Sequence, residues 1–403
     1  MTHDHSIYRA EWLPTPTQEL LLKACLAHGS ESITLWNEWK SRIDLNDADA
    51  GSQRLLPHLF RKLTSEGCAD ADLEKYKGIY RMFWYKNQML FNIGAEMLGR
   101  LHERGMRTML LKGAVLSSAY YGTFGLRPMS DIDILVETGR ALEALEVVQR
   151  AGFVPNPQIR LRYSTACVQI IHGFGFVNAN NHGIDLHWHL LPEACQRDAD
   201  TEFWKAAEPF EFNGVHTHAL SPTDLLFQVL VAGARWELIP TIRWVVDAML
   251  VLNRTQVDWN RIVAHAQQHH LVLPVRNALR YLQDSFHAGI PDRVLAMLDQ
   301  LPTLRIEHRE FNYKTKNYER RLLGHLPLHW YGYRRLNRFS VAAALPIGFL
   351  RYLQQYWGLE HFWQMPLYAL KLARLRVKKA VPSEQIAYTL PEFSTEQSRE
   401  HRA

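Results

Sequence analysis

Cysteine is scarce and poorly placed for pairing. The chain has four in 403 residues, Cys25, Cys68, Cys167 and Cys195, and no two stand at the close spacing of a zinc ribbon. That argues against a disulfide framework and fits a reducing compartment. Long apolar runs are missing too. A membrane-spanning helix needs ~20 apolar residues, and the longest candidate, around 341–350, is broken by Pro346 and Gly348. No integral membrane association is expected. The opening Met1-Thr2-His3-Asp4-His5 has neither a basic region nor an apolar core. No secretory leader is therefore expected, and a cytoplasmic location is. There is no glycine-rich loop followed by Lys-Ser/Thr, which counts against a kinase-like phosphate loop. A His-Glu-x-x-His motif, an internal repeat and the signatures of RNA-recognition or helix-turn-helix modules are also lacking.

The composition is that of a globular protein. Hydrophobic residues make up 47% of the chain, enough for a large core spread over two or three domains. The formal charge is +5, but residues 301–380 alone carry 15 Lys and Arg against 4 Asp and Glu. Basic charge is thus concentrated near the C-terminal end, among aromatic residues such as Trp330, Tyr331, Tyr333, Tyr352 and Trp363.

Chemistry points to a different stretch. Leu110-Leu111-Lys112-Gly113 ends a hydrophobic run, and Ser130-Asp131-Ile132-Asp133-Ile134-Leu135-Val136 alternates acids with aliphatic residues. In a strand, residues i and i+2 share a face, so Asp131 and Asp133 project side by side. Adjacent carboxylates are costly to keep ionised without a cation between them. Hard oxygen donors at this spacing suit Mg²⁺, with Mn²⁺ as an alternative, and such a site is commonly completed by substrate phosphates. An isolated Asp-x-Asp is common and is often a solvated strand end. A third acid raises its meaning: Gly183-Ile184-Asp185-Leu186-His187-Trp188-His189 places Asp185, His187 and His189 on one strand face by the same period. Two imidazoles beside a carboxylate also permit a Zn²⁺ site, although no further strong ligand is evident.

At these residues the chain resembles the nucleotidyltransferase superfamily typified by DNA polymerase β. It is more closely similar to the uncharacterised bacterial nucleotidyltransferase family, which carries Lys-Gly where most of the superfamily has Gly-Gly or Gly-Ser. The likeness rests on the phrase from Leu110 to Val136 and on Ile184-Asp185-Leu186-His187-Trp188. It continues through Leu220-Ser221-Pro222-Thr223-Asp224 and Ile242-Arg243-Trp244-Val245-Val246-Asp247 to Asp258-Trp259. Two departures from the superfamily stand out: Lys112 replaces the first small residue of the turn, and the interval from Gly113 to Asp131 is long. The resemblance implies an α+β chain, with a small mixed-sheet nucleotidyltransferase core flanked by N-terminal and C-terminal helical segments.

Periodicity divides the chain in a matching way. Residues 1–105 are expected to be helical, with Leu20, Leu21, Ala24 and Cys25 on one face and Leu90, Ile93, Met97 and Leu101 on another. Residues 106–219 form the expected core. Strands are expected over Thr108–Leu111, Ile132–Val136, Val168–Ile171, Phe174–Asn178 and Ile184–His189, and helices over Ala114–Tyr121 and Arg140–Arg150. Ser221-Pro222 begins a helical domain over 220–300 with a capping Ser and Pro at the first position. Residues 301–380 form a basic, aromatic-rich helical region, and 381–403 a disordered tail.

Phosphoryl transfer assigns the roles. Asp131, Asp133 and Asp185 are expected to be the catalytic acids and metal ligands, with Asp185 also orienting or deprotonating an acceptor hydroxyl. Lys112, Gly113, Arg127 and Ser130 are expected to bind the nucleotide. Gly113 lets backbone approach the phosphates, Lys112 balances their charge, and Arg127 helps the leaving pyrophosphate. Each cation has a plainer reading: Lys112 as a strand-end side chain stretching to water, Arg127 as a loop charge. Arg243 and Asp247, at i, i+4 spacing, are either a surface ion pair or cleft residues.

The expected reaction moves NMP from an NTP such as ATP to an acceptor, with a small molecule, sugar or peptide favoured over nucleic acid. Alternatives are a non-catalytic nucleotide-binding or scaffold module, or a toxin-like enzyme modifying tRNA or protein. The 301–380 region could meet an anionic surface. The plainer expectation is buried aromatics with a solvated face of Lys and Arg.

Overall fold

The computed structural model describes residues 10–155, 165–319, 324–340 and 346–379. The tail beyond 380 and the side chains of Arg374, Arg376, Lys378 and Lys379 lie outside them. By contact density the chain divides into two units, 1–358 and 359–403.

Helices occupy most of residues 16–102: Pro16–Leu26, Ser30–Arg42, Leu56–Ser65 and the 31-residue Asp72–His102. The first begins at a capping box, in which Thr15 Oγ1 accepts from the Gln18 amide and Gln18 Oε1 accepts from the Thr15 amide. Its expected face of Leu20, Leu21, Ala24 and Cys25 is buried. On the long helix the buried stripe is Leu90, Phe91, Ala95, Met97, Leu98 and Leu101, while Ile93 is only half-buried.

Seven strands form one mixed sheet: β1 (Thr108–Leu110), β2 (Asp131–Val136), β3 (Val154–Pro155), β4 (Gly173–Val177), β5 (Gly183–His187), β6 (Glu208–Phe212) and β7 (Val215–Ala219). Their order is β3-β4-β5-β2-β1-β7-β6. At its centre β2 lies antiparallel to β1 and parallel to β5. Alternation then separates two faces. Ile132, Ile134, Ile184 and Leu186 point back to the helices Asp72–His102 and Ala141–Arg150, where the long helix passes so close that a Cβ on Gly94 would sit 3.1 Å from Ile132. Asp131, Asp133, Asp185 and His187 point the other way. The helices behind the sheet bury its aliphatic face, and the acids lie on the opposite one.

Three local differences from the sequence reading have physical causes. Val168–Ile171 is not a strand: Thr165–Val168 is a helical turn, after which Ile170 and Ile171 both donate to the Cys167 carbonyl. The strand expected to reach His189 ends at His187, because the Trp188 and His189 amides both donate to the His172 carbonyl, at 2.9 and 3.1 Å. Two residues opposite one make a bulge, and the alternation breaks there. The β6–β7 hairpin was not among the expected elements. Its turn residues Asn213 and Gly214 have φ of 49° and 81°, the paired positive values of a type I′ turn.

After the sheet, Ser221 caps the helix Pro222–Gly233, its Oγ accepting from the Asp224 amide. Helices Trp244–Arg254, Trp259–Gln268, Val272–Phe286, Asp292–Gln300, Arg305–Lys314, Leu326–Leu336 and Pro346–Tyr356 follow in the first unit. Gln364–Lys379 belongs to the second. Two basic side chains of the 301–380 region depart from the expected solvated face. Arg335 is buried, with both Glu310 oxygens and the carbonyls of His269 and His270 as acceptors. Lys314 joins Glu310 to Glu193, at 2.7 and 2.8 Å. Glu193 is buried, yet Lys314 and Arg235 hold its carboxyl well below the usual range. Lys314 ties the helix Arg305–Lys314 to the segment following β5, and Arg335 ties Leu326–Leu336 to the end of Trp259–Gln268.

Candidate metal and nucleotide site

The parallel pairing of β2 and β5 sets Asp133 opposite Asp185, Asp131 opposite Gly183 and Leu135 opposite His187. One oxygen each of Asp133 and Asp185 and one nitrogen of His187 fall within 4.8 Å of one another. His187 Nε2 lies 2.9 Å from Asp133 Oδ1. An ionised carboxylate only accepts, so Nε2 is the protonated nitrogen. Its Nδ1 is buried without a partner among the described residues. Asp131 stands just outside this trio, on the same face, with Ser130 Oγ donating to its Oδ2 at 3.1 Å.

Asp185 differs from its neighbours in two ways. No hydrogen bond reaches its carboxylate among the described residues, and the neighbouring strand offers it no side chain. Gly175 of β4 sits opposite Asp185, and a Cβ there would lie 2.9 Å from Asp185 Oδ1. A side chain on β4 would fill the space beside the acid.

Electrostatics follow the geometry. Burial, together with the Asp131 and Asp133 charges, pushes the Asp185 carboxyl up to about 7. Burial and Asp133 also raise Asp131. Asp133 is buried as well, but the His187 hydrogen bond and the Lys112 charge bring it down to about 2. Three crowded acids, one with no donor of its own, are arranged as a receptor for positive charge. The carboxylates of Asp131, Asp133 and Asp185 are hard oxygen donors that could hold a divalent cation here, with the His187 Nε2–H orienting Asp133.

The Lys112-Gly113 turn borders this face. Lys112 follows β1 and opens the short helix Lys112–Val115 with φ of 26°, a value L-residues avoid because Cβ crowds the backbone. Its charge lowers all three acids, yet it makes no ion pair among the described residues. The turn therefore holds a cation near the acids and leaves it uncommitted.

The long interval to Asp131 is folded, not slack. Asn87 Nδ2 donates to the Arg127 carbonyl at 2.8 Å and also to that of Phe124. Tyr80 and Thr123 hydroxyls meet at 3.0 Å, and Arg243 donates to the Pro128 carbonyl. Arg127 is buried against Asp247, giving Nε to one carboxylate oxygen at 3.0 Å and Nη2 to the other at 2.9 Å. The Tyr121 hydroxyl donates to the same carboxylate at 2.7 Å. Arg127 is thus bound to a partner acid and not free in a loop. Only Nη1 is left facing the turn, 2.9 Å from where a Cβ on Gly113 would be. The surface Arg243–Asp247 pair is not formed: Asp247 is buried and serves Arg127 instead.

His189 does not join the acidic face. Beyond the bulge its Nδ1 meets Asp200 Oδ2 at 2.7 Å, fully buried. A zinc site of Asp185, His187 and His189 is therefore not assembled. The sequence reading passed over Gly175 and Tyr121, and it named Asp247 without its partner Arg127. Only Gly175 left a local signal, as one of two glycines at alternate positions in the Gly173-Phe174-Gly175 strand.

No curated protein matches this chain in sequence. Among solved structures, it is similar to an antigenic nucleotidyltransferase-like protein from Paracoccidioides brasiliensis. The likeness has 11% identity and a TM-score of 0.34, over 55% of this chain and 96% of that one. A likeness that slight carries no argument. Residues 42–287, which contain the whole sheet, the acidic trio, the Lys112-Gly113 turn and Asp247, match the family described as uncharacterised nucleotidyltransferase. The chain belongs to that family.

Proposed function

We propose that this chain transfers NMP from an NTP to a hydroxyl of a small molecule, sugar or peptide, releasing pyrophosphate. The observation that carries the reading is Asp133 set in register against Asp185, with no hydrogen bond to Asp185 and no ion pair to Lys112 among the described residues. Asp131, Asp133 and Asp185 would hold Mg²⁺ or Mn²⁺, and the hydrogen bond from His187 would fix which Asp133 oxygen stays available. A divalent cation held by these carboxylates would supply Lewis-acid charge to offset the negative charge that develops on the phosphate.

The remaining work falls to the chain's own groups. Lys112 Nζ would balance the non-bridging phosphate charge, and the Gly113 backbone would approach the phosphates without a side chain in the way. Ser130 Oγ, at the mouth of β2, now gives its one proton to Asp131 Oδ2 and would turn it to the phosphates once a cation occupies that carboxylate. Arg127, held by Asp247, would act on the phosphates only through Nη1. The acceptor oxygen attacks the α-phosphorus while the bond to the pyrophosphate oxygen breaks. The hydroxyl proton passes to the Asp185 carboxylate, which accepts no hydrogen bond among the described residues and so is open to act as a general base. Catalysis of this kind is mostly positioning and charge balance.

The test is release of labelled pyrophosphate from each γ-labelled NTP, with Mg²⁺ or Mn²⁺, across fractionated hydroxyl acceptors. The expected result is release that needs both metal and one acceptor fraction and is lost in Asp133→Asn. Tight NTP binding with no release from any acceptor would favour the non-catalytic module instead.

A further inference from the structure

Away from the acidic face, a cleft of about 330 Å³ opens beside the helix Leu56–Ser65, the turn after Leu116 and the helix Trp244–Arg254. That volume is at the lower end for sites that take small molecules. Its walls include the rings of His58, Tyr120 and Tyr121, and Arg61 and Arg254 contribute its charge. Both arginines are exposed, and neither pairs with an acid among the described residues. Arg254 is near enough for its charge to act on both His58 and Tyr120. His58 keeps a buried Nδ1 without a partner among the described residues, and burial, only partly offset by the Cys25 backbone, lowers its pKa to about 4, so the ring is neutral at pH 7.

A second feature sets the tyrosines there. The helix after Gly113 widens over Leu116–Tyr120, with the Tyr121 amide donating to the Leu116 carbonyl at 3.1 Å, five residues back. Such wide turns are uncommon and frequently sit at functional sites. This one buries two successive tyrosines. Tyr121 also reaches Asp247, and Tyr120 lines the cleft with no hydrogen bond to its hydroxyl among the described residues.

We propose that this cleft is a second ligand site, taking a planar organic anion: a carboxylate or phosphate carried on an aromatic ring. The rings supply flat apolar walls, and the two free guanidiniums supply bidentate donors for the anionic group. Tyr120 lies eight residues along the helix from Lys112, about 12 Å at 1.5 Å per residue, so an occupant of the cleft is not the group that meets the acidic trio. Binding here requires neither metal nor NTP, and the test stands whatever becomes of the transfer reaction.

The experiment is calorimetry and ligand-observed NMR with phenyl phosphate, benzoate and inorganic phosphate, on the wild type and on Arg61→Gln/Arg254→Gln. At least one aromatic probe should bind, inorganic phosphate should bind much more weakly, and the double variant should weaken the aromatic probe about 10- to 100-fold, the worth of a charge-assisted hydrogen bond. The better of the two aromatic probes identifies the anionic group. Leu250→Trp, which fills the cleft without changing charge, should also abolish binding. The proposal fails if neither aromatic probe binds, if inorganic phosphate binds equally well, if both variants leave binding unchanged, or if Mg²⁺–NTP displaces the probe competitively.

Discussion

Arg127 and Asp247, 120 residues apart, meet through two hydrogen bonds of 3.0 and 2.9 Å, both side chains buried. This pair pins the segment entering β2 to the helix Trp244–Arg254. Removing one partner of a buried pair strands the other's charge, which costs about 3–5 kcal/mol. Asp247→Ala should lose stability on that scale in urea titration, and Arg127→Leu/Asp247→Leu should recover much of it. Equal losses in the single and double variants would mean the pair does not hold the segment.

Asp185 makes stability depend on pH in a direction opposite to most acids. Its folded pKa is raised to about 7 from an ordinary 3.8, so the folded state binds its proton more tightly than the unfolded one. The stability it contributes is complete below about pH 4 and is lost as pH rises toward 7. In metal-free protein, Asp185→Asn should therefore gain on the wild type between pH 5 and pH 8, by on the order of 2 kcal/mol. A divalent cation competes with that proton, so metal affinity should rise through the same range. Denaturant titrations at the two pH values, with and without Mn²⁺, read both effects. A stability difference between the two proteins that does not change with pH would contradict the assignment.

Gly175→Ala adds one methyl group 2.9 Å from Asp185 Oδ1. That is too close, and either the carboxylate or the strand has to move. Divalent-metal affinity should fall by about tenfold or more, in line with losses from disturbing the groups that orient ligands. The protein should remain folded by circular dichroism. Unchanged affinity would mean that the space beside Asp185 is not where a cation sits.

Lys112 separates charge from backbone strain. At φ of 26°, Lys112→Gly should relieve about 1 kcal/mol of strain while removing the cation. Thermal stability should rise and NTP affinity should drop about 10- to 100-fold, as expected for lost charge-assisted contacts. Lys112→Arg should keep more of the affinity than Lys112→Gly. If both variants bind NTP like the wild type, Lys112 is only a strand-end cation.

Much of this site can be read in the chain because it is local. The period of two in Asp131-Ile132-Asp133-Ile134 and in Ile184-Asp185-Leu186-His187 assigns both faces before any strand is paired. The sequence does not reveal that Asp133 lands opposite Asp185, since that register joins strands some fifty residues apart. Asp247 shows the same limit more sharply. Its i, i+4 spacing suggested Arg243, but its partner Arg127 comes from another part of the chain. His189 escaped for a third reason: a bulge after His187 breaks the alternation that had placed it with the acids. The β6–β7 hairpin was legible all along, because Asn213-Gly214 between alternating residues is a strong turn signal.

If the proposed function holds, the face of Asp131, Asp133 and Asp185 binds an NTP through a divalent cation. The most direct measurement is calorimetric titration of the folded protein with each non-hydrolysable NTP, with and without Mg²⁺ or Mn²⁺, on the wild type and on Asp131→Ala/Asp133→Ala. At least one NTP should bind the wild type only with metal, and the double variant, still folded, should bind none. Metal-independent binding, or binding that survives loss of both acids, would contradict it.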